Sequence, residues 1–371
     1  IDATDPEWLM PIPVNRPGST QPGNLRISYG EYFTAVHDFL TTEDDRSLIR
    51  ALSQHLGHPI TMADIDQIDI VIQKHGAFYH PARVDVSIDD QPIPFVVNLA
   101  VSPEGQAGLR HEFNLLSQIG QSFSRRYVPA VYFQDGGGDG KNTPRFPMFL
   151  GEWLTGYHEF HIHCGDDQTQ SIRIWDPAKR TALASKQKRL LYHRVAEILT
   201  YYYNLETFEQ IFPWHHGAGD FVVRLSDNDL DLRLITVRGY SSLVETNGTD
   251  LITILNVLLR FFLHLSLRTR IDRLDGAGDL VWADDTAVQG TVSGFFDGLA
   301  HKISKGQEPP ATLMRYYLSR LSQADLTETL EDILRTYPHQ STERQLMASC
   351  LNDNAQVLFG CIKQYLLNIC H

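Results

Sequence analysis

Cysteine is scarce in this chain, and paired-cysteine motifs are absent. Among 371 residues there are four cysteines, Cys164, Cys350, Cys361 and Cys370, and none of them forms a C-x-x-C pair. So few cysteines in a chain of this length exclude a disulfide-stapled scaffold. We therefore expect reduced thiols and a cytoplasmic location.

Positive charge is also in short supply. The chain carries 45 acidic and 32 basic side chains, which leave a formal net charge of -13. A surface this acidic repels phosphate backbones and anionic lipid headgroups, so the composition argues against nucleic-acid binding and membrane-surface binding. A local basic region remains compatible with this total, because net charge does not describe a single site.

Long apolar runs without polar residues are missing as well. The longest run, residues 251–267, contains Asn256, Arg260 and His264. Charge at the centre of a bilayer is costly, so this run predicts a buried core helix and not a membrane span. The first 25 residues are Pro-rich and mixed in polarity, which is not the pattern of a signal peptide.

The sequence does contain a clear change of hydrophobic period. After two helical segments, alternating or continuous apolar strands are predicted at residues 68–73, 82–88, 95–101, 128–133 and 146–153, with one helix at 106–119. This order predicts an antiparallel sheet with a helix packed against it. After residue 163 the composition turns helical and holds one small hairpin, 221–225 with 232–237. Helices are predicted at 186–203, 251–270, 292–303, 311–321, 326–336, 343–350 and 355–369.

Two local segments carry a resemblance to a known family. In residues 148–156 an apolar strand ends in Glu152 and is followed by a small turn. In residues 212–223 two adjacent histidines and Asp220 precede a short apolar strand. With the order of elements, these segments make the chain resemble aminoglycoside and choline phosphotransferases of the protein-kinase-like superfamily, over roughly residues 65–300.

The resemblance implies an α+β, two-lobed protein-kinase-like fold, with an antiparallel-sheet N-lobe and a mostly helical C-lobe. We expect an N-terminal arm and helical extension over residues 1–64, the N-lobe and hinge over 65–156, and the helical C-lobe over 157–371. In the family, ATP and Mg²⁺ bind between the lobes. Five residues are therefore expected to converge on one groove: Asn98, Glu112, Glu152, Asp220 and Thr236.

The nucleotide side of that expected groove lacks its usual cation. In the family, the third strand carries a lysine for the ATP phosphates and the next helix carries a glutamate that pairs with it. Here Asn98 stands at the lysine position, and Glu112, which flanks an apolar helical stripe, stands at the glutamate position. No G-x-G-x-x-G loop precedes them. Arg238 is an alternative source of positive charge.

The catalytic side is altered in the same way. Aligned on the strand that follows, Asp220 falls at the family's metal-binding asparagine and His215 at its catalytic aspartate, with His216 beside it. The other register places Asp220 at the catalytic aspartate but leaves Leu225 at the asparagine position. Thr236 stands where a second metal-binding aspartate is expected. Structural explanations stay open, since aspartate is common in turns and loop histidines often bond backbone groups.

A histidine-rich segment offers a different chemistry. His158, His161 and His163 lie close together, and in an extended backbone His161 and His163 point to the same face, which suits a metal. The spacing is not H-E-x-x-H, so a zinc-protease site is excluded. A metal site here is one alternative; the other, which we expect, is that the histidines are hydrogen-bonded or exposed and hold no specific metal.

Replacement of the lysine, the base and one metal ligand removes most of the charge stabilisation that phosphoryl transfer requires. The resemblance therefore predicts a pseudokinase that binds a small molecule or a partner protein in the cleft between the lobes. A divergent phosphotransferase is the first alternative, with ATP and Mg²⁺ bound and altered roles for Asp220, His215 and His216. A metal-binding protein centred on the three histidines is the second.

Overall fold

The computed structural model describes residues 4–13, 27–41, 46–73, 79–134, 146–165, 169–215, 219–226, 229–246, 248, 250–276, 278–302 and 308–369. The chain divides into two compact units, Ile1–Thr155 and Gly156–His371. Both units combine helices with antiparallel strands, so the predicted α+β class is confirmed. Each unit is described by itself.

Unit 1 is built on a five-stranded sheet. Its strands are β1 (Gln67–Ile72), β2 (Tyr79–Ile88), β3 (Gln91–Ala100), β4 (Val131–Gln134) and β5 (Met148–Glu152). The order is β1-β2-β3-β5-β4, and every neighbouring pair is antiparallel. One helix, α3 (Pro103–Ser122), joins β3 to β4 and packs on the sheet. The prediction that residues 68–153 form an antiparallel sheet with one helix between its third and fourth strands is confirmed.

The two faces of this sheet are covered by different helices. Helices α1 (Tyr29–Leu40) and α2 (Arg46–Leu56) share one apolar core with the inward side chains of β2, β3 and β5. Helix α3 lies on the other face, where the Phe113 ring is 5.8 Å from that of Phe149. The N-terminal helices therefore belong to the same unit as the sheet.

Unit 2 contains six long helices within its described residues. They are α4 (Ser185–Tyr202), α5 (Leu251–Arg268), α6 (Thr286–Ala300), α7 (Pro310–Arg320), α8 (Gln323–Arg335) and α9 (Thr342–Ile369). The sequence predicts two helices where α9 is continuous. Asn354 lies in the polar stretch that suggested the break, but it is fully buried and accepts a hydrogen bond from Arg270 Nη1 (3.3 Å). A tertiary partner keeps this polar residue inside the helix.

Helices α4 and α6 pack with their backbones unusually close. Three glycines of α6, Gly290, Gly294 and Gly298, are spaced four residues apart and so line one face of that helix. A Cβ atom at Gly290 would stand 2.6 Å from the Arg189 carbonyl oxygen, and one at Gly298 would stand 2.6 Å from Thr200 Cβ. Only glycine permits this close approach of the two helix backbones.

The strands of unit 2 are short and form several small antiparallel sheets. The predicted hairpin is present as β10 (Phe221–Leu225) and β11 (Leu230–Leu234). Two further pairs join β9 (Glu209–Ile211) to β12 (Tyr240–Ser242), and β13 (Ile271–Arg273) to β14 (Leu280–Trp282). A three-stranded sheet, β6-β7-β8, contains β6 (Phe160–Cys164), β7 (Gln170–Trp175) and β8 (Arg180–Ala182).

The expectation of helical structure after residue 163 was wrong for this three-stranded sheet. Residues 170–175 alternate between apolar and polar side chains, and Ile172 and Ile174 are buried. This is the period of a half-buried strand. The helical composition of the longer region that follows led to the wrong assignment of this segment.

Helix α5 is long and apolar enough to span a membrane by length and composition alone. However, 61% of its most apolar stretch is buried inside the structure. Its Phe262 ring stacks at 4.4 Å on Phe295 of α6, and Leu263 and Leu267 are fully buried. These contacts are typical of a core helix, as the sequence predicts.

Candidate functional site

The unit 1 candidates lie on the α3 side and at the end of the sheet. Asn98 pairs with Phe149 across β3 and β5, so its side chain shares the face that α3 covers. Glu112 is on α3 and only 4% exposed. Glu152 ends β5, and its carboxylate accepts a hydrogen bond from the Ala130 amide at 3.0 Å. The Glu152 side chain therefore joins the end of β5 to the residue that precedes β4.

The unit 2 candidates lie in and after the loop that precedes β10. Asp220 and His215 are described by the structure, whereas His216 lies outside the described residues. The Phe212-Pro213 peptide bond is cis, and Trp214 is buried beside Phe221 with its ring centroid 6.2 Å away. The tryptophan thus belongs to the core, where it contacts the first residue of β10.

Asp220 is fully buried, and both oxygens of its carboxylate are occupied. Oδ1 accepts a hydrogen bond from Arg238 Nη2 at 2.6 Å, and Oδ2 accepts one from Arg238 Nη1. Oδ2 also accepts the backbone amide of His215 at 2.7 Å. A two-pronged arginine–carboxylate pair is among the strongest polar contacts in proteins. Arg238, whose side chain is 36% exposed, thus neutralises the one buried acid of this loop.

His215 is held by a second arginine, which comes from the end of α5. Arg268 Nη2 lies 3.1 Å from His215 Nδ1 and 3.0 Å from the Trp214 carbonyl oxygen, while Arg268 Nη1 pairs with Glu343 of α9. Arginine can only donate, so Nδ1 of the histidine accepts and the ring proton resides on Nε2. We call Asp220, Arg238, His215, Arg268 and Glu343 the Asp220 cluster.

Electrostatics favour the neutral form of this histidine. Burial lowers the pKa of His215, and the adjacent Arg268 guanidinium lowers it further, against weaker opposing effects of Asp220 and Glu343. A cationic imidazole would also place its Nδ1 proton against an arginine donor. At neutral pH His215 is therefore a hydrogen-bond acceptor for Arg268, and it is not available as a base through that nitrogen.

Thr236 and Gly239 lie on either side of Arg238, in the segment that joins β11 to β12. Ile235 donates its amide to the Asp220 carbonyl oxygen at 2.7 Å, which fixes this segment beside the loop. Thr236 is half-buried and contributes no charge. The Phe212 amide bonds the Gly239 carbonyl at 3.1 Å, and a Cβ at Gly239 would collide with the Phe212 carbonyl oxygen. This close approach of two backbones sets the position of Arg238.

Each of the three histidines of the second candidate site lies beside a different acidic side chain. His158 Nε2 lies 3.9 Å from Asp176, His161 Nε2 lies 3.5 Å from Glu159, and His163 Nδ1 lies 3.1 Å from Asp275. In the described part of the chain, no group of three or more His, Cys, Asp or Glu side chains is arranged to hold a metal ion. His161 packs edge-on against Trp175 with ring centroids 4.3 Å apart.

Sequence reasoning missed Arg268 and Glu343. A basic residue in the last turn of an apolar helix is the sequence signal for Arg268, but a cation at a helix C-terminus has a sufficient explanation in the helix dipole. Glu343 is an acidic residue in the first turn of α9, where such residues are common for the same reason. Their partnership across 75 residues exists only in the folded unit.

No protein-family model and no curated protein matches this chain.

Proposed function

We propose that this chain is a catalytically inactive, kinase-like protein that acts in the cytoplasm by binding a small molecule or a partner protein. The observation that carries the proposal is the occupied carboxylate of Asp220. At the position where the resemblance expects a magnesium ligand, the carboxylate is buried and already bound to Arg238 and to the His215 amide.

Magnesium binding would require this arrangement to come apart. Mg²⁺ needs near-octahedral oxygen ligands and is usually held by one or two carboxylates together with substrate phosphates. Arg238 would have to leave Asp220 before a cation could approach its oxygens. The second expected ligand position holds Thr236, which has no carboxylate. Both features favour a protein that does not use the usual ATP-magnesium chemistry.

The histidine of the loop is also poorly suited to act as a catalytic base. A general base must accept a proton from the substrate through an available lone pair. In His215 the Nδ1 lone pair accepts from Arg268, and Nε2 carries the proton. The lysine position is occupied by Asn98, which can donate a hydrogen bond but carries no charge. Asn98, His215 and Thr236, which stand where the lysine, the base and a metal ligand are expected, together support the assignment as an inactive protein.

A nucleotide-binding experiment tests this proposal. The thermal unfolding midpoint should be the same with and without ATP, ADP and magnesium, because a ligand that binds the folded state must raise it. The Arg238→Ala variant removes the guanidinium that binds the Asp220 carboxylate, so its magnesium binding is compared with that of the natural chain. A magnesium-dependent stabilisation of the natural chain by ATP, together with phosphate transfer that disappears in Asp220→Asn, would overturn the proposal and favour the phosphotransferase alternative. No contact described above favours the metal-binding alternative.

A further inference from the structure

One stretch of unit 2 has a charge opposite to that of the chain as a whole. Residues 169–195 contain seven basic residues and one acidic residue, Asp176, in a chain whose net charge is -13. The basic residues are Arg173, Lys179, Arg180, Lys186, Lys188, Arg189 and Arg194. Asp176 is used locally, since its carboxylate accepts the Ala178 amide at 2.9 Å in the turn between β7 and β8.

Four of these basic side chains are exposed and without an acidic partner in the part of the chain that the structure describes. Lys188 pairs with Asp284, and Arg194 pairs with Glu197 at 2.6 Å. The exposed four are Lys179, Arg180, Lys186 and Arg189. The first turn of α4, where Lys186 lies, also contains no acidic residue. The charge of this surface is therefore not neutralised within its surroundings.

This basic surface borders an open edge of a sheet. In the order β6-β7-β8, strand β8 is the last, and β7 is its one hydrogen-bonded neighbour among the described residues. Arg180 belongs to β8 itself, and Lys179 immediately precedes it. A strand edge presents unpaired N–H and C=O groups that another strand can bond.

The backbone groups that face outward can be identified from the register. Leu183 donates its amide to Ile172 at 2.8 Å, and Lys179 donates to Asp176 at 3.1 Å. Hydrogen-bonded pairs alternate along an antiparallel ladder, so Thr181 bonds to Ile174. The N–H and C=O groups of Arg180 and Ala182 therefore point away from β7, and no backbone group in the described chain bonds them.

We propose that the β8 edge binds an extended acidic peptide segment of a partner protein, which adds to the sheet as a fourth antiparallel or parallel strand. The partner backbone bonds the outward groups of Arg180 and Ala182, and its acidic side chains lie beside Lys179, Arg180, Lys186 and Arg189. The surface shares no residue with the Asp220 cluster, so this inference goes beyond the proposed function and does not depend on it.

The strand edge is the reason to choose a peptide over other anionic partners. A nucleic acid or an anionic membrane would satisfy the positive charge but has no backbone amides to pair with the open edge. An extended peptide satisfies both features at once, with main-chain bonds for affinity and side chains for selectivity. The remaining negative charge of the protein repels anionic partners elsewhere and so directs them to this surface.

The test uses a fluorescent peptide that alternates glutamate with valine, measured by anisotropy against the full chain. Arg180→Glu should weaken its binding by about tenfold, whereas Arg320→Glu on the exposed end of α7 should have little effect. Binding should also weaken as salt concentration rises. A peptide with lysine in place of glutamate should not bind.

Strand pairing is tested separately from charge. Ala182→Pro removes an outward N–H without changing any charge, at an edge position where proline is tolerated. This variant should weaken binding by about tenfold, and the natural chain should not bind the same acidic peptide when alternate backbone nitrogens are methylated. The methylated peptide leaves the protein unaltered, so it keeps the test valid if Ala182→Pro fails to fold.

Several results would overturn the inference. Equal binding of the methylated and unmethylated peptides would exclude strand addition, even if Arg180→Glu weakens both. Tighter binding of a single-stranded oligonucleotide or of phosphatidylserine vesicles would assign the surface to another class of partner. No peptide binding, together with self-association of Arg180→Glu, would show that these cations keep the edge from pairing with a second copy of the chain.

Discussion

The α4–α6 contact and the Asp220 cluster are both in unit 2, but they are held together by opposite means. Between α4 and α6, three glycines let two helix backbones approach, so shape and dispersion provide the stability. In the Asp220 cluster, two arginines, two carboxylates and a histidine satisfy one another. An added atom should therefore destabilise the first region, and the loss of a charged partner should destabilise the second.

This difference predicts how each region responds to change. Close packing depends on volume and hardly at all on pH or salt. A cluster of buried charges depends on every member, because removal of one partner leaves another charge buried without compensation. Mutations and pH can therefore separate the two regions experimentally.

The largest effect is expected from Gly294→Ala in α6. The added Cβ would overlap the His193 carbonyl oxygen and lie 3.0 Å from Ala196 Cβ, so the helices must move apart. We expect a loss of roughly 3 kcal/mol in the free energy of unfolding, measured by urea denaturation. Gly360→Ala in α9 is the matched control. Its Cβ would meet nothing within 4 Å, so alanine should stabilise the helix by up to about 1 kcal/mol. Equal effects of the two substitutions would contradict the close contact.

A smaller effect is expected from Arg238→Ala in the Asp220 cluster. The variant leaves a fully buried carboxylate with the His215 amide as its one remaining described partner. We expect a loss of roughly 2 kcal/mol, below the usual cost of breaking a buried pair because Arg238 is partly exposed and water can replace it. Arg335→Ala removes exposed ion pairs of α8 and should cost less than about 0.5 kcal/mol. Adding Asp220→Asn to Arg238→Ala should recover part of the loss, and a further loss would refute the pairing.

A third effect, which is smallest near neutral pH, is a pH dependence that His264 of α5 and His215 introduce. Burial lowers the pKa of His264 to about 3, and burial also lowers that of His215. In the unfolded chain both histidines bind protons below pH about 6.5, whereas in the folded chain each binds its proton only at a lower pH. The free energy of unfolding should therefore decrease as pH falls below this value, by up to about 1.4 kcal/mol per pH unit for each histidine.

The variant His264→Gln isolates this contribution. Nε2 of His264 lies 2.6 Å from the Tyr337 hydroxyl, and glutamine retains a polar group for that contact. Its unfolding free energy should fall less between pH 7 and pH 5 than that of the natural chain. His37→Gln, at an exposed position of α1, is the matched substitution. An unaltered slope in His264→Gln would show that this histidine is not the source.

Hydrophobic period by itself determined most of the elements. Alternation specified β1 and β2, and a nearly continuous apolar run specified β3. The 3.6-residue spacing specified α3 and α4, and the apolar strand pair around residues 221–234 was located correctly. The period was overlooked in β7, which was assigned by the helical composition of the region after it, and it failed where a polar stretch was buried, as at Asn354 in α9. A local pattern does not reveal a partner that is distant in the chain.

The candidate site shows the same division. The sequence singled out Asp220, His215 and Arg238 because the resemblance to phosphotransferases places the first two at expected catalytic and metal positions and makes the third a substitute for the missing lysine. Only the tertiary structure decided that Arg238 occupies Asp220 and that Arg268 holds His215. Hydrophobic period and composition are properties of neighbouring residues along the chain, so the sequence shows them directly. Charge pairing, the close approach of glycines and an open strand edge depend on segments that only folding brings together.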